Sequence, residues 1–178
     1  MNMTTFDFGN GPVPAHKHPN GGGWVADTAT VADTAYVGSD ARVYGKAEVY
    51  GSAMVSGKAR VFDDARVSGS AQVSGDARVY GNAWVYGDAQ IYGDACVYGN
   101  AIVSGSAQVL DNAQVLDNTW VLDDARVSGN ARVTDNARVT DNAQIFGDVY
   151  GKAEVSGEVE EDMFIEMNGK RYKLVEVE

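Results

Sequence analysis

The stretch "AHKHPNGGG" (Ala15 to Gly23) holds the residues best suited to local chemistry. His16 and His18 stand two apart on what reads as an extended segment, so both rings point the same way and could share a metal ion or an anion. Gly21-Gly22-Gly23 could present backbone N–H groups to a phosphate or carboxylate. Their other use is to let the chain pass close over whatever follows. The chain has two histidines and one cysteine, Cys96, so neither a Cys/His zinc site nor a disulfide framework can assemble within it. Asp63-Asp64 and Asp123-Asp124 supply oxygen ligands of the kind Ca²⁺ takes. Aspartates among turn residues more often serve the turn backbone. The expectation is therefore no metal, no cofactor and no catalytic residue.

Net charge narrows the partners. At −11 over 178 residues the chain lacks the basic surface that a phosphate-backbone binder needs. No apolar run is long enough to cross a bilayer, and the N-terminus lacks a signal-peptide pattern, so a cytoplasmic protein is expected.

The elements that must position these residues are written in "VYGNAWVYGDAQIYGDACVYGNAI", Val79 to Ile102. Twenty-one consecutive hexads run from Val25 through Tyr150. Position one is Val except at Ile91 and Ile145; position five is Ala except at Thr119 and Val149. Positions three and four are Gly, Asp, Asn, Ser, Lys or Thr almost throughout, and the register breaks where "VYGKAE" begins at Val149. Six is not a helical period. Each unit reads as a short strand and a turn, with Val and Ala on one face and the intervening residues on the other. So short a strand must stack on copies of itself, which gives a parallel β solenoid.

On these hexads, "IYGDAC" and "VGSDAR" among them, the chain resembles the hexapeptide-repeat superfamily named for bacterial acyltransferases. The resemblance covers about residues 25–160. It implies an all-β, single-stranded left-handed parallel β-helix, with three hexads per triangular coil and about seven coils. The left hand comes from the resemblance alone, because general chirality rules favour right-handed crossovers. Residues 1–24 are expected to be a Gly/Pro/His-rich loop cap over the first coil, and 161–178 a C-terminal β-hairpin cap turning at Asn168-Gly169.

Three hexads per coil sort the outward side chains into walls. One carries Tyr44, Phe62, Tyr80, Tyr98 and Leu116 beside a column of Arg42, Arg60 and Arg78. With His16 and His18, the residues Arg42, Tyr44, Arg60, Phe62, Arg78 and Tyr80 are the candidate ligand site. Arg60, Arg78, Phe62 and Tyr80 would clamp a phosphorylated aromatic molecule or sugar between subunits. The next wall gathers Trp84, Tyr86, Ile102, Trp120 and Leu122, a larger apolar patch than a monomer normally shows and the candidate oligomer interface. Gln72, Gln90 and Gln108 stack on the third.

The favoured reading is a non-catalytic, self-associating scaffold or binding protein, a homotrimer as is common in this superfamily. It would present patterned walls to a small molecule or a partner protein, and would suit a phage or mobile-element accessory role. The alternative is a hexapeptide-repeat acyltransferase that borrows His16 or His18 at a subunit boundary. Against it stand the missing loop excursion and the absence of His on the prism, since acyl transfer needs a base of near-neutral pKa.

Overall fold

The computed structural model describes residues 4–156 and the paired backbone of 165–167 and 170–172. Every hexad from Thr30–Val31 onward contributes a two-residue strand spanning positions six and one. Each strand pairs in parallel with the strand three further on, as Val43 does with Val61 and Val61 with Val79. Three strands therefore make one coil, and stacking yields three sheets of nine, eight and seven strands, two of the nine being antiparallel strands added by the N-terminal segment. The Val and Ala columns are fully buried from Val37 to Val139 and form one continuous core. Ala is required at position five because the chain turns there and the facing walls leave no room for a longer side chain.

Turns repeat with the coils. From Gly45 to Asp141 the position-three residue has a left-handed backbone: glycine in most hexads, but aspartate at 63, 111, 117, 123, 135 and 141, with φ between 57° and 66°. These aspartates compensate for the strain. Asp63 accepts from the Gly81 N–H (3.3 Å), Asp111 from Gly129 (3.0 Å) and Asp123 from Asp141 (3.4 Å), each in the coil below. Asp63 and Asp123 are thus engaged with turn backbone, and no group of three or more metal-ligating side chains occurs among the described residues.

Thr119 replaces alanine by donating its hydroxyl to the Leu116 carbonyl at 2.6 Å. The register break is a two-residue deletion. Val149 bridges Val133, sixteen residues back instead of eighteen, and turns inward. The Arg132 N–H is satisfied across the gap by the Asp148 carboxylate at 3.0 Å.

The N-terminal segment is not the loop expected. Strands β1 (Thr5–Asp7) and β2 (Pro12–Lys17) form an antiparallel hairpin at the edge of the nine-stranded sheet, where β2 pairs antiparallel with β3 (Trp24–Ala26), the first strand of the solenoid. Asp7 closes the hairpin turn by accepting from the Gly9 and Gly11 N–H groups. Pro12 and Pro14 are tolerated because β3 pairs only with Ala15–Lys17, so most of the proline-bearing end of β2 lies beyond it. In the C-terminal segment Ile165–Met167 pairs antiparallel with Lys170–Tyr172, Glu166 opposite Arg171. The expected cap over the last coil, with Met163 and Leu174 in its apolar face, lies outside the described residues.

Candidate functional site

On the first wall the position-two rings form a continuous ladder. Tyr44, Phe62, Tyr80 and Tyr98 stack with centroids 4.8–4.9 Å apart and planes within 4°. Strand spacing imposes this separation, which is close to ideal for parallel rings. The hairpin extends the ladder, with Phe8 stacked on Tyr44 at 4.8 Å and edge-on to Phe6 at 4.9 Å. Burial against these neighbours holds the Tyr44 and Tyr80 phenols above their ordinary range, although nearby arginines oppose it. Phe62 and Tyr80 stack on each other's faces, so only their outer edges could meet a ligand held between subunits.

The arginine column lies beside the ladder. Trp24, Arg42, Arg60, Arg78 and Cys96 stand in register on successive strands. At its N-terminal end is a cleft of about 380 Å³ lined by Phe6, Lys17, Trp24, Ser39, Asp40, Arg42, Lys58 and Arg60. Phe6 stacks on Trp24 at 4.5 Å. Arg42 lies 5.2 Å over the Phe6 ring and Lys17 4.4 Å over Trp24, so both cations are held by aromatic faces. The structure thus brings Arg42 and Arg60 together with six residues that sequence reasoning did not place at the site: Phe6, Lys17, Trp24, Ser39, Asp40 and Lys58. Trp24 was findable, since it stands eighteen residues before Arg42. Phe6 and Lys17 were not, because only the hairpin carries them there. Arg78, one coil further on, does not line the cleft. Burial pushes the neighbouring Cys96 thiol up, with Arg78 opposing.

The two histidines part company. His16 is exposed, its Nδ1 2.9 Å from Asp27 Oδ1. His18 is 3 % exposed, just past the end of β2, with Nδ1 on Asn20 and Nε2 buried without a partner. The glycines serve the close pass. Gly22 N–H donates to the His18 carbonyl at 3.0 Å and Gly23 N–H to Val37 at 2.8 Å, while a Cβ on Gly21 or Gly23 would collide with the Val37 backbone. Two of the three N–H groups offered to an anion are therefore already used.

The second wall holds the apolar patch. Glu48, Arg66, Trp84, Ile102, Trp120, Arg138 and Glu154 stand in register in one column. Trp84 and Trp120 are 42 % and 43 % exposed, and Ile102 between them is half-buried, as are Tyr86 and Leu122. Tyr86 leans on Trp84 at 4.8 Å. Arg66 pairs with Glu48 at 3.1 Å, and Arg138 lies 5.3 Å over Trp120. Read outward from Ile102 the column is the same in both directions: Trp, Arg, Glu. On the third wall Gln72, Gln90 and Gln108 stack in register, Gln90 accepting from the Tyr92 hydroxyl at 2.7 Å.

This architecture can be set against known proteins. Residues 59–73, 71–87, 89–105, 97–111 and 125–141 match the family described as the YdcK beta solenoid repeat. The central coils are similar to that repeat. No curated protein matches the chain. The match and the three-sheet stack agree on a β-solenoid repeat scaffold. Among the described residues no helix is long and apolar enough to cross a membrane.

Proposed function

We propose that the protein is a non-catalytic, self-associating scaffold of hexapeptide-repeat type, a cytoplasmic homotrimer whose copies pack through the second wall. One observation carries this reading: two half-exposed tryptophans flank Ile102 in one register-aligned column, with charges confined to its ends. Trp and Arg surrounded by less demanding residues are the composition of an interface centre. Because Arg66 is already neutralised by Glu48 within the same chain, packing would not strand an isolated charge there. The rigid core keeps the outward column at fixed spacing, so the surface is pre-organised and loses little entropy on binding. Light scattering on the purified full-length chain tests the reading. A mass of three chains at micromolar concentration is expected, and a monomer would overturn it.

A second reading, acyl transfer, draws support from the His16–Asp27 pair. A carboxylate on Nδ1 orients the ring and leaves Nε2 to take a proton from an acceptor hydroxyl or amine. His18 is too buried to share that task. Turnover of an acyl-CoA donor that disappears in His16→Gln would favour this reading over the scaffold.

A further inference from the structure

We propose that the cleft at the N-terminal end of the first wall binds a small phosphorylated molecule. Arg42, Arg60, Lys17 and Lys58 would hold its phosphoryl group, and its organic part would lie against the edges of Phe6 and Trp24, whose faces are taken by one another, Arg42 and Lys17. The proposal stands independently of self-association, which uses a different wall.

Charge is the first argument. Four cations and one carboxylate, Asp40, border this cleft in a chain whose net charge is −11. The ion pairs among the described residues are His16–Asp27 and Arg66–Glu48, so none of the four cations has a carboxylate partner among them. The second argument is register. Like charges directly opposite on neighbouring strands oppose pairing. The other wall arginines avoid this: Arg66 lies between Glu48 and Trp84, Arg126 between Gln108 and Gln144, Arg138 between Trp120 and Glu154, and Arg132 follows Gln114. Only Arg42, Arg60 and Arg78 run consecutively among the described residues. A run that weakens the fold, placed at a concavity, is offset when an anion occupies it.

Geometry then selects the class. The rings of Phe6 and Trp24 fix Arg42 and Lys17 in advance, leaving their N–H groups for a ligand. Two guanidinium forks and two ammonium groups offer more donors than a carboxylate's two oxygens can use, whereas a phosphoryl dianion presents three oxygens. A volume of about 380 Å³ suits a small molecule. The acidic surface beyond the cleft repels a longer polyanion, which excludes a nucleic-acid strand.

Isothermal titration calorimetry of the full-length protein with phenyl phosphate tests this, with benzoate and inorganic phosphate as comparison probes. Saturable binding of phenyl phosphate is expected, about 10-fold or more tighter than benzoate and tighter than inorganic phosphate. R42Q/R60Q should weaken it by about 10-fold or more, and K152Q, at the far end of the solenoid, should leave it unchanged. Without ligand, R42Q/R60Q should melt no lower than wild type, because repulsion is relieved. If that variant misfolds, K17Q/K58Q carries the same binding expectation. Absence of saturable binding up to about 10 mM phenyl phosphate, equal affinity for benzoate, or full affinity in a folded double variant would each overturn the proposal.

Discussion

Trp84→Glu combined with Trp120→Glu tests the second wall most directly. With 42 % and 43 % of these side chains exposed, and about 250 Å² available on a tryptophan, each offers about 100 Å² to a partner. Two per copy offer about 200 Å², worth roughly 5 kcal/mol at about 25 cal/mol per Å². Both sides of a contact would supply roughly 10 kcal/mol, comparable with the roughly 4–15 kcal/mol that association costs. Replacing both removes this gain and places carboxylates where water must leave, so the dissociation constant should rise by about three orders of magnitude or more. The fold should survive. Val85 and Val121 carry the core at these strands, and the introduced carboxylates would stand beside Arg66 and Arg138, a favourable cross-strand arrangement. Sedimentation velocity across a concentration series, with circular dichroism for folding, reads both effects. A folded double variant with the wild-type mass and concentration dependence would refute the assignment of the interface to this wall.

Thr119→Val should cost about 1–3 kcal/mol in chemical denaturation, because the Leu116 carbonyl loses its hydroxyl donor while the corner stays full. Thr119→Ala should cost less despite deleting more atoms, since position-five alanines elsewhere let their own N–H reach that carbonyl, as Ala113 does to Leu110 at 3.1 Å. Ala83→Leu, at a fully buried corner, should overpack and destabilise by about 1–3 kcal/mol or more in the same assay. Asp123→Ala should lose about 1–2 kcal/mol through its left-handed backbone and missing Asp141 contact, with Asp123→Asn milder and neither responding to added Ca²⁺ in a thermal melt. The Tyr150 phenol is pushed up to about 12 by burial and by its hydrogen bond to Asp148. Folding therefore favours its protonated form. That stabilisation is fully present below the ordinary phenol pKa of about 10 and is lost as pH rises through about 12, so Tyr150→Phe should flatten the alkaline end of the stability curve.

How much of this was legible depends on where each residue sits in the repeat. Within the hexads the inward Val and Ala followed from period and alternation, and the three hexads per coil that the resemblance implies then placed the Trp84/Ile102/Trp120 column and the consecutive arginines. Even the aspartates at 63 and 123 read correctly as turn residues, because position three makes the same left-handed backbone demand from Gly45 to Asp141. The N-terminal segment failed for a local reason. Its prolines and glycines carry the signature of a loop, and only the short reach of β3 lets a proline-bearing strand pair with it. The cleft was half legible for the same cause. Arg42 and Arg60 belong to the repeat and were named, whereas Phe6 and Lys17 enter through the hairpin, and Lys58 projects from a turn rather than a wall.

The repeat itself explains why function falls on surfaces. Equivalent interior positions leave no strained, singular pocket inside the column, and a change there acts through stability alone. Walls are different, because register makes each outward residue the neighbour of residues eighteen before and after it. A site on a wall is therefore written by three or four substitutions at one hexad position, without touching the core. Most coils use that freedom conservatively, stacking Gln on Gln, joining Asn82, Asn100, Asn118 and Asn136 in a hydrogen-bonded ladder, or alternating Arg with neutral and acidic partners. The Arg42–Arg60–Arg78 run and the Trp84–Ile102–Trp120 run depart from this economy, one leaving like charges opposite each other and the other leaving tryptophan in water. Each departure is unfavourable for the isolated chain and becomes favourable only when something else, an anion or a second copy, completes it.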